Sequence, residues 1–401
     1  MKWIAVQPLI GGMLIGAKNA LDSWPYCIIS QGPSNEEHLL KYLKDQGVNV
    51  PYKLMDSSYT TFKSEDDNED FTDVDIVIGV PVCSGLSLAN TSKTRGADAV
   101  QNDNMYNITK FVLKDLSPKC FVFENAPALY TKSGSKVADT LFQIAKKFRY
   151  SMSLMKTDTF LHGIPQHRHR TFCFFWKSDV GPFLNYYKRD NCGLASYLNE
   201  IPEECICFED CISNLDDDIH YKYLLEEYGK DFRSTMLKTE SRTAWQLIVN
   251  DNKLDSYIEY CDKNNIPKGK KFAEHIKLKT ESGGGYWDNS LFYIGDEVNA
   301  IIGKNMNKIL HPTEDRFYTI RELMHLMGMP HDMELLNPIT NSNHICQNVP
   351  TCTARDWVNE CKKFVNGELK LSNSNFVKQN NVKQCIDEGA AKNNLIYELF
   401  E

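Results

Sequence analysis

The chain has 401 residues, of which 42% are hydrophobic and 24% charged, and a formal net charge of −8. This is the composition of a soluble globular protein with room for a large core and two domains, and its acidic balance leaves any nucleic-acid contact to local basic patches. No stretch approaches the ~18 to 20 uninterrupted apolar residues of a membrane helix, and the first residues lack a signal-peptide cleavage site, which excludes a membrane protein and predicts a cytoplasmic one.

The chain opens with a short apolar run, Trp3 to Val6, followed by LIGGMLIGAKNAL. This predicts a first strand, a glycine-rich turn and a helix, a pattern that lets backbone approach a nucleotide-like cofactor; Gly11, Gly12 and Gly16 equally suit close helix packing. A second strand is predicted at Tyr26 to Ser30, a helix from Asn35 or Glu36 to about Gln46, and a third strand at Lys53 to Asp56. SEDDNEDFTD then reads as a solvated acidic loop.

Asp75 to Asn90, DIVIGVPVCSGLSLAN, carries the strongest local signal. Ile76, Val77 and Ile78 predict a buried strand, and the glycine, proline and small hydroxyl residues after it predict a tight loop presenting Cys83. A thiol at the carboxyl end of a parallel strand suits a nucleophile, because ligands of α/β proteins bind there. A buried cysteine can also be a small hydrophobe. After a polar stretch with Thr91, Lys93, Thr94 and Arg95, a helix is predicted around Asn104 to Leu116. Cys120 to Phe123 reads as a strand ending in Glu124 and Asn125, Val137 to Phe148 as a helix, and 150 to 158 as a strand.

In GIPQHRHRTFCFFW, Gln166, Arg168 and Arg170 alternate ahead of an aromatic strand. Extended backbone puts them on one face, a polar row suited to a phosphate or base, or a solvated basic turn. His162, His167 and His169 lack paired acids, and Cys205, Cys207 and Cys211 have a spacing unusual for zinc, so no metal is expected. Thirteen cysteines without secretory features read as mostly reduced thiols.

From about Val180 to Asp315 the pattern loosens. Lys268, Lys270, Lys271, Lys277 and Lys279 precede Gly283 to Gly285, Tyr286 and Trp287, and could track a phosphate backbone or form a solvated face. RFYTIRELMHLMGMP predicts a helix beginning near Thr319, and QNVPTCTARDWVNECKKFV a loop into another helix. The tail from Gly367 reads as an Asn- and Lys-rich link with a short final helix, and the chain has no internal repeat.

With the Cys83 loop, Glu124-Asn125, the Gln166, Arg168, Arg170 row and Arg316-Thr319-Arg321-Glu322 in this order, the chain resembles the DNA cytosine-5 methyltransferases, over about residues 1 to 178 and 310 to 360. The resemblance implies an α/β fold: a Rossmann-like, S-adenosylmethionine-dependent methyltransferase-type sheet with helices on both faces, plus a smaller irregular target-recognition domain. It implies catalytic residues 1–178, a target-recognition domain at 179–315, and a return to the catalytic domain at 316–401. The expected partner is double-stranded DNA and the expected state a monomer.

By resemblance, Cys83 would add to carbon 6 of a flipped-out cytosine, Glu124 would donate or share a proton at N3, and Arg168 and Arg170 would hold the base's O2 and nearby phosphate. Gln166 would support the loop, Ser87 would meet the DNA backbone, and Thr319 and Arg321 would lie where the recognition domain joins the core. Lys270 and Lys271 complete the expected DNA contacts. S-adenosyl-L-methionine would be held by Gln7, Ile10, Gly11, Gly12, Asp56, Gly79 and Asn348.

Several positions depart from the family pattern. Ala5, Gln7 and Leu9 stand where an acid, an aromatic and a glycine are usual, so Gln7 replaces the ring that packs on adenine. Ser30 and Gln31 occupy the region of the ribose-holding acid, leaving Asp56 as the adenine-side acid. Cys346, Gln347 and Asn348 replace a Gly-Asn pair, and Val82 a second proline before the cysteine. Base-handling residues are kept and cofactor-handling residues are largely missing. The intact Cys83 and Glu124 favour an active cytosine-5 modifier, with methyl transfer from S-adenosylmethionine the expected reaction; transfer of another group from a non-standard donor, a DNA-binding module and RNA cytosine modification are the alternatives.

Overall fold

The computed structural model describes residues 1–32, 35–63, 71–87, 90, 95–206, 211–286, 288, 290–291, 295–303 and 306–387. Part of the predicted acidic loop, together with Thr91, Lys93, Thr94, Cys207, Trp287 and the final helix beyond 387, lies outside them. The chain divides into two compact units: 1–192 with 324–337 and 343–401, and 193–323 with 338–342.

The first unit is built on strands β1 (Trp3–Val6), β2 (Cys27–Ser30), β3 (Tyr52–Leu54), β4 (Ile76–Gly79), β5 (Cys120–Asn125), β6 (Ser151–Asp158), β7 (His169–Trp176) and β8 (Phe376–Asn380). Their order in one sheet is β8-β6-β7-β5-β4-β1-β2-β3. β7 runs antiparallel to β5 and β6, and the other neighbouring pairs are parallel. The inner strands read as continuous apolar runs because both faces are covered.

Alternation along those strands divides the core. Ile4, Val6, Val77, Phe121 and Phe123 face helices α3 (Asn102–Phe111, continued by a wider turn to Leu116) and α4 (Ser135–Lys147). Trp3, Ala5, Ile76, Ile78 and Val122 face α1 (Gly12–Leu21), α2 (Glu37–Asp45) and the Thr351–Val365 helix. Gly16 lets α1 approach the Thr351–Val365 helix: a Cβ there would lie 2.5 Å from the Ala354 Cβ. The third strand is shorter than predicted, with Asp56 in the turn beyond it, and β8 falls in the segment read as a link.

The second unit has its own core, in which Tyr221, Tyr223, Trp245, Tyr257 and Phe317 pack with Leu224, Leu247, Ile248 and Ile276. Helices Ile219–Tyr228, Phe232–Lys238, Ala244–Asn250, Leu254–Lys263 and Pro267–Glu281 supply it. The sequence pattern loosens here because these helices are mostly short and bury Tyr and Trp in place of a regular aliphatic stripe. Among the described residues, no helix is long and apolar enough to cross a membrane.

Candidate active site

β4 ends at Gly79, where a Cβ would meet the Phe121 ring at 3.3 Å and the Val6 carbonyl at 3.4 Å, a tight fit that a glycine relieves. The chain then turns at Cys83, whose carbonyl accepts from the N–H groups of Leu86 (3.1 Å) and Ser87 (3.0 Å). The Cys83 side chain is half-buried and packs on the α3 side of the core. Burial first, and then the Glu124 carboxylate, push its thiol above the ordinary thiol range, while Arg170 and Arg168 pull it down. On balance the Cys83 thiol is harder to ionise than an ordinary cysteine.

Gly79 pairs with Phe123, so Glu124 follows on the adjacent strand and approaches the Cys83 loop from β5. Its carboxyl is buried, and Arg170 Nε donates to Glu124 Oε1 at 2.7 Å. Burial raises the Glu124 pKa, and Arg170 and Arg168 oppose that rise.

The predicted polar row divides between two partners. Arg170 turns to Glu124, but Arg168 is fully buried and its Nη2 donates to the carbonyls of Cys346 (2.6 Å) and Asn348 (2.9 Å). Burial, and then the Arg170 charge, lower the Arg168 pKa to about 9. Gln166 is likewise buried, and its amide donates to the Leu326 carbonyl at 2.7 Å. The segment is no solvated turn: Asp158 Oδ1 accepts from the Arg168 N–H, Asp158 Oδ2 contacts His167, and His162 bridges Thr157 and Asp356.

On the other side of β4 lie the expected cofactor residues. Gln7 (φ 49°), Leu9 (φ 56°) and Gly11 (φ 109°) bend the chain sharply between β1 and α1, and Ile10 is buried. The Gly12 N–H, at the start of α1, donates to Asn348 Oδ1 at 2.8 Å, and a Cβ on Gly12 would lie 2.0 Å from the Val349 carbonyl. Leu39 fills the corresponding space at Gly11. Asp56 accepts from the Thr60 N–H (2.6 Å) and hydroxyl (2.7 Å), which hold its carboxyl below the usual range.

Sequence reasoning missed Glu36. Its buried carboxyl accepts from Ser30 Oγ at the end of β2 (2.6 Å) and from Tyr52 Oη at the start of β3 (3.1 Å). Burial raises its pKa to about 7 against those two hydrogen bonds. The signal in the sequence is an acid at the beginning of α2, six residues past the strand end and beyond Ser30 and Gln31.

A nucleoside cofactor fits this side in part. Glu36 brings a carboxyl to Ser30, at the carboxyl end of β2, in a chemistry suited to sugar hydroxyls. The glycine turn does not fit in the same way, because Leu39, Asn348 and Val349 fill its cradle.

In the second unit, Thr319 and Glu322 form a reciprocal cap at the start of the Ile320–His325 helix: Thr319 N–H donates to Glu322 Oε2 (2.8 Å), and Glu322 N–H to Thr319 Oγ1 (3.2 Å). Arg316 donates to both Glu322 oxygens, at 2.8 and 2.7 Å. Arg321 is partly exposed. Lys270 donates to both oxygens of Asp262, whereas Lys271 is exposed and has no ion pair among the described residues.

The family described as C-5 cytosine-specific DNA methylase matches residues 39–362. A Type II methyltransferase of Bacillus paralicheniformis is 23% identical over 306 residues, 67% of this chain and 65% of that protein. Another, from Haemophilus parahaemolyticus, is 24% identical over 287 residues, 70% of this chain and 66% of that protein, so the chain spans just under two thirds of either relative. A crystal structure of a prophage-encoded DNA modification methyltransferase of E. coli shares the fold at a TM-score of 0.56 and 16% identity, covering 91% of this chain and 99% of that one. The eight-stranded sheet with its one antiparallel strand is thus the α/β fold shared with that structure. With a match running from Leu39 to Lys362, the chain belongs to the C-5 cytosine-specific DNA methylase family.

Proposed function

We propose that the protein modifies carbon 5 of cytosine in double-stranded DNA, with methyl transfer as the reaction. The observation that carries this reading is the convergence of the Cys83 loop, Glu124 and Arg170 at the ends of neighbouring strands in a chain of this family. Carbon 5 of cytosine is a weak nucleophile until a thiolate adds to carbon 6. Cys83 forms that bond after losing its proton, and Glu124, oriented by Arg170, holds the proton shared with N3 as electron density rises there. Loss of the carbon 5 proton with expulsion of Cys83 restores the aromatic ring. S-adenosylmethionine supplies an electrophilic methyl carbon when bound; Glu36, with Ser30 beside it, would hold its sugar, whereas the glycine turn after β1 is filled by Leu39, Asn348 and Val349.

Arg168 acts in this reading through its buried charge and its grip on the 346–348 turn. Ser87, Arg321 and Lys271 are assigned to DNA, while Gln166, Thr319 and Lys270 keep their neighbouring segments in place. The second unit is assigned to target recognition, which a polynucleotide substrate requires and a free nucleotide does not.

A second reading keeps the cytosine chemistry and changes the donor. It is favoured by Asn348 occupying the Gly12 N–H. Mass spectrometry of DNA from cells expressing wild type or Cys83→Ala tests both. A methyl increment on cytosine, lost in the variant, supports methylation; a different increment supports the second reading; no increment in either sample contradicts both.

A further inference from the structure

The first turn of α3 grips the Cys83 loop on both limbs. On the incoming limb, Val82 N–H donates to Asn104 Oδ1 at 2.9 Å. On the returning limb, Asn102 Nδ2 donates to the carbonyls of Gly96 (3.0 Å) and Ala97 (3.1 Å). The limbs are tied to each other by Gly96 N–H donating to the Gly85 carbonyl at 2.9 Å. A Cβ on Gly85 would lie 2.4 Å from Asn102 Oδ1, so this glycine lets the loop close onto the helix. Residues two apart on an α-helix point about 200° apart, so two asparagines in one turn can hold a loop that straddles the helix end.

The contact at Val82 has a particular meaning. A proline ring fixes φ and carries no N–H, so it restrains a loop from within. Valine at this position restores both the φ freedom and a donor that must be satisfied once the loop is half-buried. Asn104 satisfies that donor and pins the backbone one residue before the thiol.

We propose that Asn104 is a positioning residue for the Cys83 thiol, supplying from α3 the restraint that a proline ring at residue 82 would supply from within the loop, with Asn102 bracing the other limb. This rests on the reading of Cys83 as the nucleophile. A thiol whose loop wanders by about 1 Å loses up to about a hundredfold in rate without losing its substrate.

The test uses the full chain and duplex DNA tritiated at cytosine carbon 5. Asn104→Ala is expected to lower the maximal rate of tritium release at least about tenfold, with the KM for DNA within about twofold of wild type. Asn104→Asp, which keeps the acceptor, is expected to retain the wild-type rate. The double variant Val82→Pro with Asn104→Ala is expected to recover most of the loss, because the ring removes the donor and fixes φ while the alanine leaves room for it.

A merely structural role would lower the unfolding midpoint of Asn104→Ala and give no recovery in the double variant. That result, or an unchanged rate in Asn104→Ala, overturns the proposal. Should wild type release no tritium, the functional reading fails. The positioning proposal is then decided by the rate at which iodoacetamide alkylates the Cys83 peptide: a change in Asn104→Ala that the double variant reverses supports it, and equal rates in all three proteins overturn it.

Discussion

Arg170 Nε stands 2.7 Å from Glu124 Oε1, joining the antiparallel strand β7 to the end of β5 through a buried charge pair. The pair places a carboxyl beside the Cys83 loop and opposes the protonation that burial alone would impose. Replacing Arg170 by methionine removes the counter-charge and raises the Glu124 pKa further. Because a raised carboxyl pKa penalises the folded state only where the unfolded carboxyl is ionised, the loss grows as pH rises above the ordinary carboxylate range. Urea unfolding of Arg170→Met should show a loss of about 3 kcal/mol at pH 8 and a smaller one at pH 5. An equal loss at both values would mean that the charge on Glu124 is not what Arg170 compensates.

Glu36 titrates in the opposite sense to a salt-bridged acid. Its folded pKa of about 7 lies above the 4.5 of an ordinary glutamate, so stability is lost as pH rises from about 4.5 through about 7. Glu36→Gln should therefore stabilise the protein at pH 8 by about 2 kcal/mol and change little at pH 4.5, as measured by chemical unfolding. The same variant should weaken S-adenosylmethionine binding at least about tenfold in calorimetric titration, through loss of a charge-assisted acceptor. Unchanged affinity would remove Glu36 from the cofactor site.

Glu322 behaves conventionally. Arg316, His311 and the Thr319 N–H hold its pKa at about 2 against burial, so its contribution is present above about 4.5 and lost as pH falls toward 2. Glu322→Gln should cost about 3 kcal/mol at pH 7 and much less at pH 3 in unfolding measurements. A pH-independent cost would assign the effect to packing.

Lys270 and Lys271 are neighbours with different prospects. Lys271→Ala should weaken duplex DNA binding and reduce the salt slope by about one, read as fluorescence anisotropy across a salt series. Lys270→Ala should do less, since Asp262 already neutralises that ammonium. Equal effects would show that DNA displaces Asp262.

Much of the sheet is legible in the chain because Ile76–Ile78, Cys120–Phe123 and Phe172–Trp176 are apolar runs buried on both faces. β8, Phe376–Asn380, is not: it is an edge strand with alternating burial and polar residues at three of its five positions, so nothing apolar marks it. The site divides similarly. Cys83, Glu124 and Arg170 are announced by strand ends, whereas Arg168 is a buried latch because residues 346–348, far along the chain, supply its acceptors. Glu36 and Asn104 are hidden for the same reason, since each acts through side-chain geometry that local pattern does not carry.

The most direct test of the Cys83 reading is tritium release from duplex DNA labelled at cytosine carbon 5, because exchange requires addition at carbon 6 and presumes no donor. Wild type should release tritium, and Cys83→Ala should release none above background. Absence of release by wild type with every donor supplied, or equal release by both proteins, would contradict Cys83 as the nucleophile.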